Sequence, residues 1–211
     1  MSQTASPESH GKRSYHSAFR ATILTTHNHI RKMWKKKQLA SSSNDKQPVS
    51  CFLADLLYLG PVSATSNSAF LARQGITHVL SIGKSPASRT DGIGYKRLGL
   101  TDEEGSSISE VVEKACEIIE AAAAVKSKVL VHCSAAISRS PTIVAAYLMK
   151  WRGMTLRESL EVLVKARGAV SPNPGFLRQL SEMEMELFHH PKIDDHLCLL
   201  SRHSSSHLIE G

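Results

Sequence analysis

The 211-residue sequence predicts an α/β fold: a central, mostly parallel sheet of four or five strands flanked by helices. Three observations carry this reading. From Cys51 onward, short apolar runs alternate with longer stretches of helical spacing, as strands separated by helices do. The run Val129-Leu130-Val131-His132-Cys133 leads from an apolar strand through Ser134-Ala135-Ala136-Ile137-Ser138 into Arg139-Ser140-Pro141, where a helix starts. Val111, Val112, Ala115, Ile118, Ile119 and Ala122 recur at helical spacing and form an apolar stripe suited to packing on a sheet.

Taken in order, strands are expected at residues 51–54, 57–59, 78–82, 95–100 and 128–132. Helices are expected at 67–74, 109–125, 141–151, 156–166 and 175–188. Ser109 is placed to cap the second helix with its hydroxyl. Pro141 suits the first turn of the third, because its missing N–H would have no helical partner there, and Gly153 ends that helix. Thr155 and Glu158 have capping-box spacing for the fourth.

The formal charge of +7 is confined to one segment: residues 1–47 carry nine Lys or Arg against two acids, whereas 48–211 carry seventeen of each. Residues 1–47 therefore read as a disordered basic tail, 48–190 as the globular domain with its boundary near Pro48, and 191–211 as a flexible C-terminal tail. The neutral domain gives no support for nucleic-acid binding. Within the tail, Ile23, Leu24, Ile30, Met33, Trp34 and Leu39 make a loose apolar face that could fold on a partner or membrane.

Cys51, Cys116, Cys133 and Cys198 are widely separated and form no zinc spacing, so neither a metal nor a cofactor is expected. No apolar run reaches the length of a membrane span, and no secretory leader is evident. A cytoplasmic or nuclear location is expected. The run Arg31-Lys32-Met33-Trp34-Lys35-Lys36-Lys37 reads as a nuclear import signal, and the Ser-rich, acid-poor first 45 residues leave mitochondrial import open.

The chemistry concentrates at Cys133. A cysteine at the end of a buried strand, facing free N–H groups at a helix N-terminus, sits where an anion is stabilised. Arg139 can grip two oxygens of a phosphate with its planar fork. Displacing an alkoxide or phenoxide then requires a general acid from outside the loop, and Asp102-Glu103-Glu104 supply candidates after the fourth strand.

Four further segments occur in a fixed order around this loop: Leu57-Tyr58-Leu59-Gly60, Gly75-Ile76-Thr77-His78-Val79-Leu80, Ala145-Ala146-Tyr147-Leu148-Met149 and Pro172-Asn173-Pro174-Gly175-Phe176. With the loop, they make residues 50–190 resemble the cysteine-based protein tyrosine phosphatase superfamily, most closely its small, atypical dual-specificity phosphatases. The resemblance implies the cysteine phosphatase fold and a phosphocysteine intermediate. It implies that Cys133 is the nucleophile, that Arg139 and the loop of Ser134, Ala135, Ala136, Ile137 and Ser138 bind phosphate, and that Asp102 rather than Glu103 or Glu104 is the general acid and later base. Ser140 would hydrogen-bond the cysteine sulfur, His132 would brace the loop, and Asn173 would support it from the next segment.

One departure stands out. The family has glycine where this chain has Ala136, and alanine in a left-handed conformation costs about 1–2 kcal/mol. The expected function is hydrolysis of phosphotyrosine and phosphoserine or phosphothreonine in proteins. The alternative is a catalytically weak or inactive relative that binds phosphoprotein. A phosphoinositide or RNA-end phosphatase would carry extra basic or distinctive polar residues within 134–138, where there are none. A tyrosine-only phosphatase would have a longer domain and a phosphotyrosine-recognition segment. Phosphorylated proteins are the expected partners; Lys35-Lys36-Lys37-Gln38-Leu39, which loosely resembles kinase-docking segments, adds kinases.

Overall fold

The computed structural model describes residues 49–53 and 56–189, together with Lys32. Five strands form one sheet: β1 (Ser50–Leu53), β2 (Leu57–Pro61), β3 (Ile76–Ile82), β4 (Gly94–Leu98) and β5 (Lys128–Cys133). Their order is β1-β2-β5-β3-β4, with only the β1–β2 pair antiparallel. The mostly parallel sheet expected from the sequence is thus observed. Val129, Leu130 and Val131 in the central β5 are fully buried, which is why that strand reads as an unbroken apolar run.

Alternation along the strands divides the core between the two faces of the sheet. Tyr58, Val79 and Leu130 point to one side, where Leu71 of α1 (Ser68–Gln74) covers them. Leu57, Leu59, Leu80, Val129 and Val131 point to the other. There they meet α2 (Ser109–Ala124), α3 (Arg139–Arg152), α4 (Leu156–Ala166) and α5 (Pro174–His189). α3 is buried along its whole middle, from Ser140 to Met149, so the element that follows the Cys133 loop is anchored from all sides.

Several elements differ from their predicted bounds. α3 starts at Arg139, two residues early, because the Ser138 carbonyl already accepts the Thr142 N–H; Pro141 remains within the first turn. Ser109 is not the cap of α2. The cap position is Ile108, with no side-chain cap, and its N–H instead donates to Gln179 Oε1 at 2.9 Å. β4 stops at Leu98, so Gly99 and Leu100 belong to the connection that carries Asp102. A 3-10 turn at Val62–Ser66 was not expected, since five residues are too few for a period to be read.

Gly153 ends α3 at φ 63°, and Thr155 with Glu158 forms the capping box of α4. Among the described residues no helix is long and apolar enough to cross a membrane. The two tails and the apolar face of residues 23–39 lie outside the described residues, Lys32 apart.

Candidate active site

Cys133 ends β5 and Arg139 opens α3, so residues 134–138 form the turn between the central strand and the buried helix. All five of their carbonyls are taken up from outside. Ser134 O accepts from Val62 N–H at 3.1 Å, which gives the 3-10 turn its role. Ala135 O and Ala136 O accept from Arg167 Nη2 and Nε at 3.0 and 3.1 Å. Ile137 O accepts from Ser171 N–H at 2.7 Å, and Ser138 O from Thr142 N–H and Oγ1. Peptide geometry then points the N–H groups the opposite way. Among the described residues no protein group engages the N–H of residues 134–138. The result is a nest of donors at a helix N-terminus, suited to a tetrahedral oxyanion.

Ala136 has φ 56° and is fully buried, so this alanine adopts the left-handed conformation that glycine favours. The loop keeps the shape and the backbone carries the strain. Gly83, at φ 85°, is needed for another reason: a Cβ there would lie 2.4 Å from Arg139 Nη1. Sequence reading missed Gly83, although a glycine directly after β3 marks a close backbone approach. It also missed Arg167, whose partners are loop carbonyls more than 30 positions away in the chain, with no local pattern to betray them.

His132 is fully buried, and burial lowers its pKa from the ordinary 6.5, so the ring is neutral near pH 7. Its Nδ1 lies 3.1 Å from the Cys133 carbonyl, which can only accept, so the proton sits on Nδ1. Nε2 then accepts the Ser81 hydroxyl at 2.7 Å and ties β5 to β3 directly below the loop. The Ser140 hydroxyl donates to Cys133 Sγ at 3.2 Å. Cys116, in α2, has its thiol pushed up to about 12 by burial and stays protonated.

Asp102 is the junction of three elements. Its Oδ1 accepts the Ser138 hydroxyl at 2.7 Å and the Asn173 side-chain amide at 3.0 Å, while Oδ2 lies 3.5 Å from Arg139 Nε. Asn173 also donates its backbone N–H to Ser138 Oγ at 3.1 Å and caps α5 by accepting from Phe176 N–H at 2.9 Å. Gly175 lets the acid-bearing loop dock, since a Cβ there would lie 2.0 Å from the Glu104 carbonyl oxygen. Gln179 holds the loop's far end through Ser106 O and Ile108 N–H. Asp102 is thus fixed on the phosphate loop, whereas the side chain of neighbouring Glu103 makes no ion pair among the described residues and Glu104 meets α5 through its backbone. A cleft of about 820 Å³ opens here, lined by Asp102, Glu103, Ser134, Arg139, Lys84 and Arg97 among others.

Residues 57–186 match the family model for the catalytic domain of dual specificity phosphatases. The chain belongs to that family. Dual specificity protein phosphatase 1 of Arabidopsis thaliana is 40% identical over 133 residues, covering 62% of this chain and 67% of that protein. Dual specificity protein phosphatase 5 of Rattus norvegicus is 39% identical over 132 residues; the matched region spans about a third of it, 34%. The crystal structure of human DUSP28 superposes with a TM-score of 0.63 at 30% identity, covering 67% of this chain and 95% of that one. The domain is accordingly a protein phosphatase domain on the α/β cysteine phosphatase fold. Among the described residues no cluster of His, Cys, Asp and Glu is placed to hold a metal ion.

Proposed function

We propose that this dual specificity phosphatase hydrolyses phosphotyrosine and phosphoserine or phosphothreonine in proteins through a phosphocysteine intermediate. Cys133 attacks phosphorus as the thiolate, forming the S–P bond as the P–O bond to the substrate breaks. Asp102 gives its proton to the leaving oxygen. The N–H groups of residues 134–138 and Arg139 hold the equatorial oxygens as charge redistributes. In the second step Asp102, now ionised, takes a proton from water as it attacks phosphorus, and the Ser140 hydroxyl stabilises the departing thiolate. His132 and Asn173 brace the loop and the acid.

The observation that carries this reading is the engagement of all five loop carbonyls from outside, which dedicates the N–H groups to an anion. Arg139 Nε adds to it, being a buried cationic donor without a hydrogen-bond acceptor among the described residues. The test is turnover of an aryl phosphate and of matched phosphotyrosine and phosphoserine peptides. Hydrolysis of both peptides is expected, and tight binding of both without hydrolysis would favour the second reading.

That second reading, a phosphoprotein-binding domain of little activity, has one observation in its favour: the buried Ala136 methyl at a left-handed position. Residues 1–47, which hold the whole excess of positive charge, would direct the enzyme to acidic partners in cytoplasm or nucleus and leave its chemistry unchanged.

A further inference from the structure

α2, α3 and α5 enclose a groove of about 360 Å³ that shares no lining residue with the cleft at Cys133. Its floor is apolar: Ile108 is buried, and Met183 and Leu187 are half-buried, packed on the core yet open to the groove. Its rim is acidic. Lys150 is taken up by Glu113, whereas Glu182 and Glu186, one turn apart on α5 and both exposed, have no cationic partner among the described residues. Gln179 also lines the groove, and its amide holds the acid loop through Ile108 N–H and Ser106 O. Whatever fills the groove therefore rests on the anchor of the loop that carries Asp102.

The chain itself supplies a segment that fits. α5 ends at His189, beside Glu186 and Leu187 at one end of the groove. Pro191 has no N–H with which to prolong α5, but it suits the first turn of a new helix. Ile193, Leu197 and Leu200 then recur at helical spacing, Asp194 and Asp195 fall in the first turn and Arg202 and His203 in the last, as the helix dipole favours. Lys192, His196 and His203 share one flank of that apolar stripe. Such a helix covers about 10 Å from Ile193 to Leu200, and the groove runs about 12 Å along α5 from Gln179 to Leu187. We propose that residues 191–203 fold back antiparallel to α5 as a short helix in this groove, with Ile193, Leu197 and Leu200 on its apolar floor and the Lys192 flank against Glu182 and Glu186, and so brace the loop that carries Asp102. A helix this short is marginal alone in water, so order in it depends on the groove.

The experiment is amide hydrogen exchange of the full chain, which reads the contact independently of turnover. Amides of residues 194–203 are expected to exchange at least about tenfold more slowly than in the same sequence as a free peptide. Ile193→Asp with Leu197→Asp, changes confined to the segment, should abolish that protection and speed exchange at Ser106 and Ile108 by about threefold or more, with the sheet amides unchanged. Glu182→Lys with Glu186→Lys should weaken the protection at low salt, and adding Lys192→Glu should restore part of it. Exchange at the free-peptide rate in the wild type, or protection that survives Ile193→Asp with Leu197→Asp, would overturn the proposal. So would protection that grows with protein concentration, which would mean contact between copies, and protection of residues 31–37 in place of 194–203, which would give the groove to the basic N-terminal segment. Unchanged exchange at Ser106 and Ile108 when the segment is released would overturn the brace on the acid loop.

Discussion

The Ser138 hydroxyl donates to Asp102 Oδ1 at 2.7 Å while accepting the Asn173 N–H at 3.1 Å, so one atom of the phosphate loop joins the acid to the turn before α5. If Asp102 protonates the leaving oxygen, Asp102→Asn should slow phosphopeptide hydrolysis by about 10²–10⁴-fold, with a smaller loss on an activated aryl phosphate. Ser138→Ala should show the same selectivity at about tenfold, because the carboxylate keeps Asn173 but loses its nearest donor. Rates on both substrates decide the matter. Equal losses on the two would contradict the acid role.

For Ala136 three effects of similar size compete. Substitution by glycine releases about 1–2 kcal/mol of left-handed strain, but forfeits about 0.8 kcal/mol of methyl burial and costs backbone entropy. The loop already has the shape a glycine would give it. Ala136→Gly should therefore move stability by less than about 1 kcal/mol and the rate by less than about threefold. Ala136→Val, branched and confined at the same site, should lower the melting temperature sharply. A large gain in rate for the glycine variant would mean that the methyl obstructs the oxyanion.

Arg167 holds two consecutive loop carbonyls from the end of α4. Arg167→Ala leaves both acceptors, one solvent-exposed and one partly buried, without that brace, and frees two peptides to turn their N–H groups away from the phosphate. A fall in kcat of about 10–100-fold is expected, with the fold retained by circular dichroism. Arg167→Lys should recover part of it. An unchanged kcat would show that the loop holds its shape without the brace.

The neutral, buried His132 makes the fold sensitive to acid. Its folded pKa lies below the ordinary 6.5 because burial disfavours the charged ring, so below that pH the unfolded chain binds more protons than the folded one. The stability it contributes is full above 6.5 and declines as pH falls towards the folded pKa. Thermal unfolding between about pH 7 and about pH 5 should show this decline, and His132→Asn should flatten part of the slope while lowering stability at neutral pH. An identical slope in the variant would place the acid sensitivity elsewhere.

The alternation of strands and helices was legible because β5 is apolar on both faces and the α2 stripe has one. The reactive cluster was legible because Cys133, Arg139 and Ser140 sit within one turn of each other, while Asp102 and Asn173 were reached through the family resemblance. What escaped is what depends on distant backbone: Arg167 on the loop carbonyls, Gly83 against Arg139, Gly175 against Glu104 and Gln179 on the acid loop. Hydrogen bonds to main chain leave no periodicity, and a glycine required by a neighbour's approach looks in sequence like any turn glycine. Ser109 misled for a related reason, because Gln179 already serves the N–H that precedes it.

The covalent step at Cys133 can be observed directly by acid-quenching the enzyme during turnover of a phosphopeptide carrying labelled phosphate and mapping the label. Labelled phosphate on the peptide that contains Cys133 is expected, absent in Cys133→Ser, whose hydrolysis falls by several orders of magnitude while it still binds the substrate. Turnover that persists in Cys133→Ser, with no label on that peptide in the wild type, would contradict a phosphocysteine mechanism.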